Sequence, residues 1–454
     1  MGFIFYDLLF LGLFVSVVGV FLYKNWKNVK REGILLLYKS KFGIDAIKAI
    51  GERHKKFLDK CEGFVVFVGY LLMAAMIYFL VKFASFFVKQ PDFAKVIKIP
   101  PIVPLIPYLP ELFNADYLPP FYFTYWILAL AITAIVHEFF HGIFARSNDV
   151  KIKSTGFAFL GPFIGAFVEP DENKVSKLKT KHQLAILSAG SFSNLIVAVV
   201  FFFVLWGFFA SAFQTSGATF NFYDFKIINS TDISEIKGSI YINFDGGLNL
   251  TEIKAGNETL FVKNASQKGY IIAFKDSPAL RSGLQGAILE VDGVKIESYK
   301  MLNKTLSDKN PNQSIIIKTL LNNSEKEYNI TLGEKNGKAW LGIAVIAYET
   351  EGVFSKLRSA IMFFKDPNIY YKPRFLDELV VFVYNLIWWI AFINLSVALV
   401  NMMPLGIFDG GRVFYLTMKK LTGSENAAKK LFVAVTYLLL GFFIVLTVFW
   451  FLRK

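Results

Sequence analysis

The sequence predicts an α-helical polytopic membrane protein of about six transmembrane helices, with an inserted extracytoplasmic α+β domain. Three observations predict it. The 454 residues are 54% hydrophobic and 17% aromatic but only 19% charged, against about a quarter charged in ordinary soluble domains. Apolar stretches close to the ~20 residues needed to cross the hydrocarbon core recur along the chain. Between the fourth and fifth of them the composition turns to alternating apolar residues with Gly, Asn and Thr.

The predicted spans run 3–23, 64–88, 121–145, 184–213, 378–403 and 431–451. The first lacks the basic start and the small-residue cleavage site of a signal peptide, so it is expected to stay as a span. Loop 24–63 carries eleven Lys/Arg, against three in the Pro-rich loop 89–120. Loop 146–183 is basic again, as is the turn holding Lys419, Lys420, Lys429 and Lys430. The positive-inside rule puts these basic loops on the cytoplasmic face, with both termini outside the cell membrane. It also accounts for the net charge of +14. No basic stretch interleaves aromatics as a base-stacking surface does, so nucleic acid is not an expected partner.

Four blocks follow. Residues 1–120 hold two spans, the basic loop and the Pro-rich loop; 121–213 hold the third and fourth spans; 214–350 form the outer domain; 351–454 hold an amphipathic segment and the last two spans. Eight Asn-x-Ser/Thr sequons, at Asn229, Asn249, Asn257, Asn264, Asn303, Asn312, Asn322 and Asn329, agree with an outer location for the third block.

A single cysteine, Cys61, excludes an internal disulfide and a Cys-based zinc cage. Any metal must use carboxylates and the four histidines: His54, His137, His141 and His182. The third predicted span contains His137-Glu138-Phe139-Phe140-His141. Residues four apart share one helix face. Both imidazoles can therefore bind one Zn²⁺, with Glu138 beside it as general base. Ionisable groups at membrane depth are costly and point to function. His54 and His182 sit in basic loops and read as solvated. A third ligand is sought in Asn401-Met402-Met403-Pro404-Leu405-Gly406-Ile407-Phe408-Asp409-Gly410-Gly411. Pro404 and Gly406 break the helix, and unwound backbone at that depth must be buried in protein or line a wet cavity. Asp409 sits on this piece and is able to turn inward, although D-G-G reads equally as a plain helix-end turn.

HEFFH on an early span, paired with a later N-x-x-P-x-x-x-x-D-G-G, resembles the site-2 protease family of intramembrane metalloproteases over roughly residues 121–451. The resemblance implies one zinc per chain held by His137, His141 and Asp409, with Glu138 as catalytic base and transmembrane proteins as substrates. Asn401 matches a family Asn. Asn194 closes Ala189-Gly190-Ser191-Phe192-Ser193-Asn194, similar to the family's A-G-P-x-x-N with Ser191 at the Pro. Both are candidates for holding a substrate carbonyl or developing oxyanion, or for bonding between buried helices. Residues 155–170, apolar but broken by Gly156, Gly161, Pro162 and Gly165, resemble the family's re-entrant hairpin, whose edge can pair with an extended substrate.

Within 214–350, Gly269–Ile272, Ser277–Leu284 and Ile288–Ile296 resemble a bacterial-type PDZ domain, with Ala287 where Asp commonly stands. Such a sheet offers an edge to an extended peptide, either gating or recruiting substrates. Residues 214–265 and the first two spans carry no assigned role. Two other readings are a membrane protease with a Glu third ligand, and a non-proteolytic PDZ-bearing scaffold or metal transporter. D-G-G and the interposed domain argue against the first; ionisable residues clustered in one place argue against a transporter.

Overall fold

The computed structural model describes residues 3–89, 106–112, 118–161, 163–220, 222–242, 248–263, 265–266, 269–321, 324–345 and 364–453. Most of the predicted Pro-rich loop, Pro162, two of the sequons (Asn264 and Asn322) and the start of the predicted amphipathic segment, 351–363, lie outside the described residues. The chain divides into two compact units, residues 1–207 with 381–454, and residues 208–380.

In the first unit the longer helices are α1 (Phe3–Lys24), α2 (Ile44–Arg53), α3 (Lys55–Lys89), α4 (Phe123–Ser147), α5 (Thr180–Ala212), α6 (Asp377–Asn401), α7 (Asp409–Thr422) and α8 (Glu425–Arg453). All but α2 and α7 are long and apolar enough to cross a membrane, six as predicted. The second begins earlier than predicted. Lys55–Gly63 continues the helix because Glu62, fully buried, finds partners inside the fold. Its carboxylate accepts from Asn148 Nδ2 (3.0 Å) and pairs with His182 Nδ1 (2.8 Å). His182 is therefore not the solvated residue its basic neighbours suggested. His54 is exposed, as expected.

A carboxylate also explains the first span. Asp7, on apolar α1, is 1% exposed. It accepts hydrogen bonds from Phe123 N (2.8 Å), Thr124 N (2.9 Å), Thr124 Oγ1 (2.5 Å) and the Tyr108 hydroxyl (2.5 Å). The capping position of α4, Tyr122, makes no side-chain cap of its own. Helix α1 thus supplies an acceptor for N–H groups that no helix can satisfy internally, at the end where the helix dipole favours negative charge. Phe10 and Phe14 pack on Phe123 with ring centroids 5.8 and 5.2 Å apart, seating the cap. Burial, and after it the bond to Asp7, push the Tyr108 hydroxyl above the ordinary tyrosine range.

The predicted re-entrant hairpin is a pair of β strands. Strands β1 (Val29–Glu32), β2 (Leu35–Ser40), β3 (Ile152–Leu160) and β4 (Phe163–Pro170) form one antiparallel sheet in the order β1-β2-β3-β4. Half of that sheet comes from what reads as a basic loop. The pairs Tyr38↔Phe157 and Thr155↔Val168 set its register. Lys39 Nζ lies 2.6 Å from Glu169 Oε2, and Ser154 Oγ donates to the same oxygen at 2.5 Å. These two contacts hold the Glu169 carboxyl below the ordinary glutamate range.

Apolar clusters join the elements. Ile47, Ile143, Phe144, Ala185 and Ala189 tie α2, α4 and α5 together, with Arg146 bonded to Glu52 alongside. Val68, Leu72, Leu184, Leu187, Met402 and Val413 tie α3, α5 and the α6–α7 corner. Phe121 stacks on Trp389 at 3.9 Å, and the indole donates to Pro120 O at 2.9 Å.

The second unit is built on two antiparallel sheets. Its longer strands are β5 (Phe213–Ala218), β6 (Phe225–Asn229), β7 (Ile233–Ile242), β8 (Leu248–Ala255), β9 (Glu258–Val262), β10 (Tyr270–Lys275), β11 (Ala287–Val291), β12 (Ser314–Leu321), β13 (Ser324–Thr331) and β14 (Ile369–Pro373). One sheet has the order β6-β10-β9-β8-β7, the other β13-β12-β11-β5-β14. Helix Tyr299–Ser307 buries Leu302 and Leu306 against Ile288, Val291, Ile315 and Ile317 of the second sheet. Residues 214–265, unplaced from sequence, supply β5 to one sheet and four strands to the other. The Gly269–Ile272 segment opens no free edge: β10 is paired on one side with β6 and on the other with β9.

Replacing Asp7 by Ala leaves two backbone N–H groups and two hydroxyls without their acceptor. We expect a stability loss of about 2 kcal/mol or more, read as a thermal midpoint several degrees lower in detergent. An unchanged midpoint would refute the capping role.

Candidate metal centre

Helix α4 places His137 and His141 one turn apart, with ring centroids 4.6 Å apart and planes at 83°. Their Nε2 atoms lie 3.0 Å from one another. Asp409 Oδ2 lies 3.1 Å from His137 Nε2 and 3.2 Å from His141 Nε2. Three lone-pair donors therefore face one point. With Zn–N bonds of about 2.0–2.1 Å, neighbouring ligands in a tetrahedron stand about 3.3 Å apart, so the donor set fits one zinc ion.

Two carboxylates adjoin the histidine pair, because a Glu138 oxygen also falls within 4.8 Å of the ring nitrogens. Asp409 is the closer, within 3.2 Å of both. Glu138 is held elsewhere: its Oε2 accepts the backbone N–H of Val168, on β4, at 3.0 Å. Of the two carboxylates, Asp409 therefore stands nearer the point that both ring nitrogens face, and Glu138 lies beside it.

The supports behind the ligands are as specific as the ligands. His141 Nδ1 lies 2.6 Å from Ile186 O. A carbonyl oxygen only accepts, so Nδ1 carries the proton and Nε2 keeps its lone pair for metal. The Asn194 amide lies 3.1 Å from His137 Nδ1. When Nε2 of that ring binds metal, Nδ1 donates to the amide oxygen, and a half-turn of the amide presents that oxygen. Asp409 is the first residue of α7, after the Met402–Phe408 corner. A Cβ at Gly410 would meet Met402 Cα at 2.7 Å, which is why the corner closes only with glycine after the ligand. A Cβ at Gly190 would meet His137 Nε2 at 2.6 Å, so α5 approaches the pair by its bare backbone.

The two asparagines part company. Asn194 is fully buried behind the His137 ring, where it cannot meet a substrate. Asn401 lines a cavity of about 320 Å³ with Thr133, His137, Glu138 and Asp409, its Nδ2 3.4 Å from His137 Nε2. A second cavity of about 320 Å³ adjoins His141, Asp409, Glu172, Gln183 and Arg412. Sequence reasoning missed Ile186 O and Val168 N–H, which are backbone atoms and leave no signal. It also missed the contact made by Gly190, although that residue stands in the motif that flagged Asn194.

A family model described as "Peptidase family M50" matches residues 125–446 of the chain. An uncharacterized protein of Methanocaldococcus jannaschii is 49% identical over 73 residues, 16% of this chain and 20% of that protein. A Clostridium perfringens protein provisionally named a zinc metalloprotease is 23% identical over 383 residues, covering 72% of this chain and 97% of that one.

Because Asn194 bonds the His137 ring, Asn194→Ala is expected to weaken zinc affinity by about 10–100-fold, measured by competition with a chelator. Unchanged affinity with a raised KM would instead assign the residue to substrate.

Proposed function

Because the chain belongs to peptidase family M50, we propose that it is an intramembrane zinc endopeptidase that hydrolyses peptide bonds in or near transmembrane segments of other membrane proteins. The observation that carries this is the meeting of His137, His141 and Asp409 within 3.2 Å, beside Glu138 on a helix apolar enough to span a bilayer. The family match and the six apolar helices make the protein a multi-pass membrane metalloprotease.

Zinc bound at the three ligands supplies a Lewis acid and a nucleophile available near neutral pH. The chain's own residues do the rest. Glu138 takes the proton of the attacking water and returns it to the departing amine. Val168 N–H fixes the position of that carboxylate. Asn401, facing the cavity, offers an amide N–H to a substrate carbonyl. Strand β4 ends its sheet, so backbone groups on its outer side can pair with an extended substrate. A helical substrate hides its carbonyls in i→i−4 bonds and must unwind first.

The basic loops support a topology with both termini and residues 214–350 outside the cell membrane and the metal centre nearer the cytoplasmic side. The second unit, read as a PDZ-like domain, gates or recruits substrate termini. Its peptide adds at a strand other than β10, whose two sides are taken.

Glu138→Gln should cut turnover by about 10²–10⁴-fold while zinc content, measured by elemental analysis, stays at one per chain. Activity at the wild-type rate would end the mechanistic reading. In a substrate series, replacing Gly and Pro near the cut by Leu or Ala should slow cleavage; equal rates would argue against local unwinding.

A further inference from the structure

Glu138 borders three cavities. Two contain the metal ligands and polar groups. The third, of about 160 Å³, contains neither ligand histidine nor Asp409. Its walls include Ile47 of α2, Ile135 and Phe139 of α4, Phe157 of β3 and Phe167 of β4, with Phe42 at its rim, 85% exposed. Glu138 is the single charged residue among those lining it. Its two hydroxyls are already engaged: Thr155 Oγ1 donates to Phe42 O at 2.6 Å, and Ser40 Oγ accepts from Phe42 N at 3.1 Å.

Size, polarity and position then select one kind of occupant. An apolar cavity of about 150 Å³ holds a benzene molecule, so this one takes a phenyl ring or a branched aliphatic chain. A polar side chain entering it would lose water and find no partner. Position follows from Glu138, which serves the scissile bond and forms part of the cavity wall. In an extended peptide successive side chains leave on opposite sides. Of the two residues flanking the cut, one therefore points toward the sheet and this cavity, the other toward the polar ones.

We propose that the cavity between α2, α4 and the β3–β4 hairpin is a specificity subsite for a large apolar side chain (Phe, Leu or Met) immediately beside the scissile bond. This rests on the protease reading and narrows it to a class of substrate.

The test uses the full-length zinc-loaded protein in detergent and a transmembrane peptide that it cuts. Each residue flanking the cut is varied in turn among Ala, Ser, Asp, Leu, Phe and Trp, and kcat/KM is measured. At one of the two positions Phe or Leu should exceed Ala by about 10–200-fold, with Ser and Asp below Ala. Ile135→Phe, which fills the cavity, should bring the Phe and Ala rates together. Phe157→Ala, which enlarges it, should move the optimum toward Trp. Rates within twofold at both positions would overturn the subsite while leaving the protease intact. Persistence of the wild-type preference in both variants would overturn it as well. A zinc-loaded protein that cuts no membrane peptide would remove the protease reading, and the subsite with it.

Discussion

Two imidazole nitrogens and one carboxylate oxygen, drawn from helices more than 260 residues apart in sequence, meet within 3.2 Å. Such a cluster is costly to assemble inside a protein, because each donor leaves water and faces others of its kind. It persists only if every donor is held from behind. Ile186 O fixes the His141 ring, Asn194 fixes the His137 ring, and the contact of Gly410 with Met402 fixes the start of α7. The architecture around the cluster is arranged to present these three supports. Helix α5 alone supplies two of them, and Gly190 lets it come close enough to do so.

The N-terminal part of the chain, which carries no ligand, serves the same end. Asp7 closes the amino end of α4, the helix that bears both histidines. Glu62, fully buried on α3, bonds Asn148 just past the other end of α4 and His182 at the start of α5. A buried carboxylate thus stands at each end of the ligand helix, and each is satisfied by specific donors, as burial of charge requires. These contacts limit axial sliding of α4, which would carry both imidazoles away from Asp409.

What the sequence made legible follows from what side-chain patterns can encode. HExxH has helical spacing, so His137, Glu138 and His141 could be named from the residues, whereas Asp409, which by itself reads equally as a plain turn, joined them through the family resemblance. The six long helices are legible because apolar length is a property of the chain alone. The sheet was half legible: residues 155–170 showed apolar character with glycine breaks, but Val29–Ser40 looked like a basic loop. Its one local signal is Gly33, at φ +61 in the β1–β2 turn. His182 was misread because its role depends on a partner, Glu62, that no local pattern records. For Asn194 the sequence left a substrate contact and bonding between buried helices open, and its bond to the His137 ring is of the second kind. The Gly269–Ile272 motif likewise does not tell which strands will flank it.

The sheet and the base are coupled through one hydrogen bond, from Val168 to Glu138. A strand slipped by one residue turns every side chain to the opposite face and moves each backbone donor by about 3.3 Å. A slip of β4 against β3 would therefore leave Glu138 without its positioning donor while both histidines and Asp409 stayed in place. Register in an apolar, glycine-containing hairpin is weakly specified by hydrophobic pattern alone. Here polar contacts specify it. Glu169 next to Val168 takes Lys39 from β2 and Ser154 from β3, and so ties three strands at one level. The proposed ligands and the proposed base thus rest on different parts of the fold. The His137–His141–Asp409 cluster depends on helices α4, α5 and α7, whereas Glu138 is positioned by a sheet whose second strand comes from the segment after the first span.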